Sequence, residues 1–362
     1  MGVPSNNITV CLVSDQLAGG GAERFSAQLS TFLVEKGIQV HHVLVLDAIE
    51  YAHEGEVFNL GRLKRKSPFF LNRFRRFFAL RHFFKTHSFH IIIDTRVKKK
   101  GLQELFIHRL IYRSPYILIV HSARAEWYVP WGLWGARWIY QKAAAVVAVS
   151  KGIQQLLESH YGLKNVTHIP VAYPTFPNSS SLDLPPFILA VGRMNDPIKQ
   201  YDRLIAMYAQ SELPQRGIHL IILGEGYLLS EYQKQAAQLV CSKMIHFHGR
   251  VTNPHDYYTK ALFSVLTSKN EGFPTVLLES LFFGTPVIAY NCPTGPNEII
   301  QHEYNGLLVS NQDETAYIQA LNRMICDKEL YLRCKDYAKS SVAKYSMEHV
   351  GAQWINLISQ KL

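Results

Sequence analysis

Residues 268–290 read SKNEGFPTVLLESLFFGTPVIAY: a turn-rich opening, an apolar run at helical spacing, then Gly284 and a short strand signal, TPVIAY. Just upstream, residues 263–268, FSVLTS, form another short apolar strand. Strand, loop, helix and strand in succession build a parallel sheet, because parallel neighbours need a crossover and the usual crossover is a helix. Two carboxylates stand in this unit, Glu271 in the loop and Glu279 about one turn inside the helix. Pro274 sits where the helix begins, a place where its missing N–H removes no required bond. Amides around Thr275 and Val276 are then free, and with the positive end of the helix they favour an anion. Carboxylates accept several hydrogen bonds and suit hydroxyl-rich ligands, so the pair could meet the two ends of an elongated molecule. The plain alternative makes Glu271 a helix-cap charge and leaves Glu279 solvated or salt-bridged.

The same alternation extends in both directions. Ahead of the quoted stretch lie the strand signals FILAVG (187–192), HLIILG (219–224) and IHFHG (245–249), with helical segments at 199–211, 228–240 and 254–261. The first half carries ITVCLVS (8–14), a glycine loop at Gly19, Gly20 and Gly21, a helix from about Ala22 to Lys36, then VHHVLVLD, HIIIDTR, YILIVHS and AAVVAVS. Between the halves, residues 174–187, PTFPNSSSLDLPPF, accumulate proline, serine and asparagine and mark a boundary. An α/β chain of two doubly wound domains follows, 1–180 and 181–345, with a ligand expected in the cleft facing the carboxyl ends of both sets of strands. The tail, 346–362, has Val350, Trp354, Leu357 and Ile358 at helical spacing; it reads as a helix crossing back to the first domain or simply capping the second.

Composition agrees with two cores: the 362 residues are 48% hydrophobic and 18% charged. Cys11, Cys241, Cys292, Cys326 and Cys334 are scattered and odd in number, against a disulfide framework and in favour of a reducing compartment. The opening residues lack a leader pattern, and no apolar run is long enough to span a bilayer, so a cytoplasmic location is expected.

Charge is uneven. Of a formal net charge of +10, residues 62–85 hold nine Lys or Arg and no acid. Phe70, Phe74, Phe77 and Phe84 recur there at helical spacing, with Arg73, Arg76 and Lys85 on other parts of the surface. Such a helix could lie on an anionic membrane, or be an ordinary surface helix with its rings in the core. No fingerprint or zinc motif accompanies it to support nucleic acid.

The strand FILAVG leads into GRMNDPIKQYDRLI, where Gly192 permits a tight exit, Arg193 follows, and Lys199 stands at the opening of the next helix. A planar guanidinium and a mobile ammonium could neutralise two linked phosphoryl groups. With these pieces in place the sequence resembles glycosyltransferase family 4, retaining nucleotide-sugar enzymes of the GT-B fold. The resemblance rests on GGGAER (19–24), VAVSKGI (147–153), ILAVGRMNDPIK (188–199), ILGEG (222–226), FHGRV (247–251), SKNEGFPTVLLES (268–280) and TGPNEII (294–300), in family order.

The resemblance implies roles. Arg193 and Lys199 would bind the donor diphosphate and stabilise the departing charge. Glu279 would hold the ribose hydroxyls, and Glu271 would contact the donor sugar. Backbone amides of the Gly20-Gly21 loop and of the start of the Thr275 helix would close around phosphate or sugar, with Gly272, Phe273, Pro274, Thr275 and Val276 as donor-binding positions. The backbone of Arg250 and Val251 would lie near the nucleobase, with Gly224 and Gly226 at close-approach positions. His121, ending YILIVH, would contact sugar or acceptor; on its own it reads as a hydrogen-bonded histidine at a strand end. Arg73, Arg76 and Arg81 could meet an acceptor pyrophosphate.

The implied activity is transfer, with retention, of a hexose or N-acetylhexosamine from a UDP-sugar to a lipid-linked saccharide on polyprenyl pyrophosphate. The enzyme would sit peripherally on the inner face of the membrane, use no catalytic metal and bind no nucleic acid. A GT-B sugar-nucleotide epimerase and a non-catalytic nucleotide-sugar or glycan-binding protein are the competing readings.

Overall fold

Thr9–Ser14, TVCLVS, is a strand (β1) whose last five side chains are buried, as a strand covered on both faces requires. It is followed by Gln39–Leu44 (β2), Glu56–Asn59 (β3), Ile91–Asp94 (β4), Tyr116–Val120 (β5), Ala145–Ala148 (β6) and Val166–His168 (β7). All pair in parallel, in the order β3-β2-β1-β4-β5-β6-β7. The computed structural model describes residues 8–64, 69–98, 100–174 and 183–362, with the backbone alone for Phe69 and Phe70.

A second parallel sheet contains Phe187–Val191 (β8), His219–Leu223 (β9), Ile245–Gly249 (β10), Ser264–Leu266 (β11), Val287–Tyr290 (β12) and Gly306–Val309 (β13). Its order is β10-β9-β8-β11-β12-β13. In each sheet the winding reverses beside the first strand, between β1 and β4 and between β8 and β11. Loops leaving the two strands at such a point diverge and open a crevice at their carboxyl ends. Two Rossmann-like units result: Met1–Pro174 with Met347–Leu362, and Thr175–Ser346.

The closing helix, Met347–Lys361, belongs to the first unit. Gly351 lies flush on the Phe32 ring, where any Cβ would collide, and Trp354 is fully buried beside Phe25 at 6.3 Å between ring centroids. That contact decides between the two readings of the tail. Three strands escaped the sequence pattern: β3, β7 and β13 are edge strands of three or four residues. β3 (EVFN) and β7 (VTH) lack the continuous apolar run that marks the equally short β4, β6 and β12.

The Phe69–Thr86 helix divides its rings differently from the expected single stripe. Phe84 is buried with Leu80 and Phe83, Phe77 is half-buried, Phe74 is exposed, and the Phe70 side chain lies outside the described residues. Arg65 and Lys66, part of the basic segment, also lie outside them. Among the described residues no helix is long and apolar enough to cross a membrane.

Candidate functional site

The crevice of the second sheet is built by the loops after β8 and β11. After β8, Asp196 caps a short 3-10 turn, Pro197–Lys199, by accepting from the Ile198 amide at 3.0 Å. Lys199 is therefore in this turn rather than in the Tyr201–Gln210 helix, which starts after a left-handed Gln200. The β11 exit grips the turn: Thr267 Oγ1 donates to the Lys199 carbonyl at 2.8 Å, and the Lys269 amide to the Ile198 carbonyl at 2.8 Å. The result is an ion pair across the switch point, with Lys199 Nζ 2.6 Å from Glu271 Oε1. Glu271 thus pairs with lysine instead of capping the helix. Arg193 lies on the same β8 exit, exposed and without a hydrogen-bond or ion-pair partner among the described residues.

The helix after the Glu271 loop runs Thr275–Phe282, with Pro274 at the N-cap and no side-chain cap. The amides of Thr275 and Val276 consequently lack intrahelical acceptors and remain available to an anion. Glu279 is only 4% exposed, which excludes the solvated reading, and Tyr258 donates its hydroxyl to Glu279 Oε2 at 2.7 Å. The loop after β12 braces this region. Thr294 donates its hydroxyl to the Glu271 carbonyl, and Gly295, at φ +94°, packs so tightly that a Cβ would stand 2.6 Å from Pro274 Cδ. Gly224, at φ +140°, meets the Gly192 carbonyl where a Cβ would overlap it. Gly226 makes the same kind of approach to Met194. Arg250 and Val251 follow β10 directly, Arg250 exposed and Val251 half-buried.

Two hydroxyls near this pair were not singled out from sequence. Tyr201 is buried beside Gly192, and its OH has no partner among the described residues; burial and then Glu271 push its pKa up, so it stays a donor. Ser268 Oγ, immediately past Thr267, is likewise buried and unpartnered. Nothing in a single Tyr or Ser signals this, since it depends on what surrounds the hydroxyl.

In the first unit, Gly20 caps the Gly21–Glu35 helix with no side-chain cap, Gly19 having turned at φ +87°, and Gly21 is exposed. His121 immediately follows β5, and its Nε2 is buried without a partner among the described residues. Burial, helped by Lys98, lowers its pKa to about 3, so the imidazole is neutral. The hydrogen-bonded strand-end reading therefore fails at that nitrogen.

A buried charge cluster behind it was missed. Arg96 bonds Asp94 at 2.7 Å and Glu104 at 3.0 Å, Lys98 Nζ lies 3.4 Å from Asp94, and Tyr112 donates to Asp94 at 2.9 Å. Asp94, Glu104 and His108 offer ligand atoms within 4.8 Å of one another, as a metal site would. Arg96 already bridges both carboxylates, however, and supplies the positive charge there. Burial raises the Asp94 carboxyl, but Arg96 and Lys98 overcome this and hold it well below the usual range. The signal was available in IIIDTRVK, charges packed directly against the end of an all-buried strand.

Of the expected residues, the structure brings Lys199 and Glu271 together and sets Arg193, Thr275, Val276 and Glu279 on the same two crevice loops and their helix. Two doubly wound units, one with paired charges and open amides at its switch point, define an α/β class of protein whose ligands bind outside the carboxyl ends of the strands. Residues 19–175 match the family described as Glycosyltransferase Family 4, and residues 175–341 match Glycosyl transferases group 1. The chain belongs to glycosyltransferase family 4, and its two Rossmann-like units are those of the GT-B fold.

Among curated relatives, the chain is 25% identical over 366 residues, 95% of this chain and 96% of the other, to a Campylobacter jejuni protein. That protein is the GalNAc-alpha-(1->4)-GalNAc-alpha-(1->3)-diNAcBac-PP-undecaprenol alpha-1,4-N-acetyl-D-galactosaminyltransferase. The match spans only 48% of a Haemophilus influenzae glycosyltransferase, at 26% identity over 47% of this chain. It spans 23% of a Streptomyces coelicolor exopolysaccharide phosphotransferase, at 29% identity over 60% of this chain. The solved pneumococcal O-GlcNAc transferase GtfA, in complex with UDP and GlcNAc, shares the fold at TM-score 0.78 and 13% identity, covering 98% of this chain and 99% of that one.

Proposed function

We propose that this protein is a retaining glycosyltransferase that moves a hexose or N-acetylhexosamine from a UDP-sugar to a saccharide carried on polyprenyl pyrophosphate. The Lys199–Glu271 pair at the β8/β11 switch point carries this reading. It puts a cation where a diphosphate would enter and a carboxylate where a sugar hydroxyl would sit. Arg193 and Lys199 then neutralise the diphosphate, the Thr275 and Val276 amides meet the same charge, Glu271 holds the sugar, and Glu279 holds the ribose. In the same unit the backbone of Arg250 and Val251 would meet the nucleobase, and in the first unit the Gly20-Gly21 loop would offer amides to phosphate or sugar and His121 would contact sugar or acceptor. The undecaprenyl diphosphate acceptor named for the Campylobacter relative supports a lipid-linked acceptor here.

The bond from anomeric carbon to phosphate oxygen breaks as the acceptor oxygen bonds that carbon on the same face. The acceptor proton passes to the leaving phosphate, and UDP departs with charge stabilised by Arg193 and Lys199. No covalent sugar–Glu271 intermediate is needed, and the protein supplies positioning and electrostatics rather than a metal. The test is a thermal-shift panel of UDP-, GDP- and ADP-sugars followed by transfer with the stabilising donor, because a ligand of the folded state raises apparent stability. A UDP-sugar should stabilise the chain and the product should keep the donor's anomeric configuration. Stabilisation by none of them, or an inverted product, would sink the reading.

A further inference from the structure

Ten of the eighteen large apolar side chains left exposed among the described residues fall on three segments of the first unit. These are the Phe69–Thr86 helix, the Gly101–Phe106 helix with its continuation Ile107–Ile111, and residues 131–140. The first helix shows Leu71, Phe74 and Phe78 at helical spacing and continues the same stripe with Arg81 and Lys85. The second shows Leu102 and Phe106, then Arg109, and the third shows Leu133, Trp134 and Trp138 around Arg137.

The three segments form one face. The Phe69–Thr86 helix packs on Ile107–Ile111, and Gly101–Phe106 packs on Ala136–Tyr140. Arg73 donates to Gln103 at 3.1 Å, the Arg109 guanidinium lies over the Trp138 ring at 5.6 Å, and Gly101 is pressed against the Trp131 ring. Trp134 is 69% exposed, Leu102 65% and Phe78 62%. A contiguous apolar surface of this kind marks an interaction site, since scattered exposed apolar residues do not cluster this way.

Charge selects the partner. The one acid on the three segments, Glu104, is buried and bonded to Arg96, whereas Arg73, Arg81, Lys85, Arg109 and Arg137 are exposed. A second copy would set arginine against arginine with no carboxylate to pair. Tryptophans among guanidinium groups suit the headgroup layer, where an amphipathic ring and a cation both find partners. We infer that this three-segment face docks on an anionic lipid bilayer, with Leu133, Trp134 and Phe78 entering the interface. The inference extends the lipid-linked acceptor reading, for it would hold the enzyme beside such an acceptor. It also enlarges the basic helix alone into a surface with a tryptophan-bearing third edge.

The experiment mixes the full chain with vesicles of 30% phosphatidylglycerol in phosphatidylcholine, an arbitrary composition of about one anionic lipid in three, without donor or acceptor. Binding is read by flotation and by quenching of tryptophan fluorescence with brominated lipid. Wild type should float and be quenched. Arg137→Gln should weaken partitioning about fivefold, from about 1 kcal/mol per basic residue at such a surface. The exposed pair Leu133→Ser with Trp134→Ser should weaken it on the order of tenfold or more through lost apolar burial, with an unchanged melting midpoint. No flotation of wild type, unchanged flotation of the double variant, or light scattering showing a dimer that the double variant abolishes would each overturn the inference. Transfer to detergent-dispersed acceptor tests the catalytic reading separately, because it needs no bilayer.

Discussion

Lys199 Nζ and Glu271 Oε1 meet at 2.6 Å across 72 residues of chain, with 22% and 12% of their side chains exposed. A diphosphate entering the crevice must draw the ammonium toward itself and away from this carboxylate. Lys199→Ala should therefore weaken UDP binding about 10- to 100-fold, the range of a charged hydrogen bond worth about 1.5–3 kcal/mol. Glu271→Ala should release the lysine, leaving UDP binding unchanged or tighter while abolishing transfer. Titration calorimetry with UDP separates them, and equal losses in both variants would reduce the pair to a scaffold.

Glu279 lies inside its helix, bonded by Tyr258 at 2.7 Å, so its orientation is fixed before any ligand arrives. Tyr258→Phe removes that donor and should cost about 1–3 kcal/mol of stability in urea unfolding. Glu279→Gln keeps the shape but weakens the acceptor, and should lower affinity for UDP while leaving inhibition by inorganic pyrophosphate unchanged. Parallel losses for both ligands would remove the ribose role.

Gly295→Ala asks whether the loop after β12 sets the Glu271 loop. A Cβ there meets Pro274 Cδ at 2.6 Å, and the backbone is left-handed at φ +94°. The substitution should lower stability by about 1 kcal/mol or more. It should also reduce transfer more than UDP binding, because Glu271 moves while Lys199 stays. Wild-type turnover in the variant would separate the two loops.

Acid should act on the first unit. Burial lowers His42 to about 4, and His108 and His121 to about 3, from an ordinary 6.5. Between those limits the unfolded chain binds more protons, so this stabilisation is complete above pH 6.5 and is lost as pH falls toward 3. Each histidine contributes up to about 1.4 kcal/mol per pH unit within its window. Burial raises Glu104, an opposing contribution, since its proton is held more tightly in the folded state. Calorimetry from about pH 7.5 to 4.5 should show a falling melting midpoint. His42→Gln, able to keep the bond now made to the Glu54 carbonyl at 3.0 Å, should flatten that fall.

Much of the architecture was legible because a strand buried on both faces must be apolar throughout, as Ile91–Ile93 and Leu220–Leu223 are. Glu271 and Lys199 were legible for a related reason: each follows a strand at the position where a doubly wound sheet presents its loops. Tyr201 and Tyr258 were not. Their significance lies in burial and in partners distant along the chain, and a residue type alone reports neither.

By itself the sequence determined the alternation of strand and helix, the glycines that let loops approach, and the charges at the strand ends, because these follow from local periodicity and backbone sterics. Tertiary structure alone decided that Lys199 pairs with Glu271, that Glu279 is buried against Tyr258, and that Trp354 closes onto Phe25. It also decided that three separate stretches share one exposed apolar and basic face. Such outcomes depend on strand order and helix packing, which bring remote residues within a few ångströms and set how much water each retains.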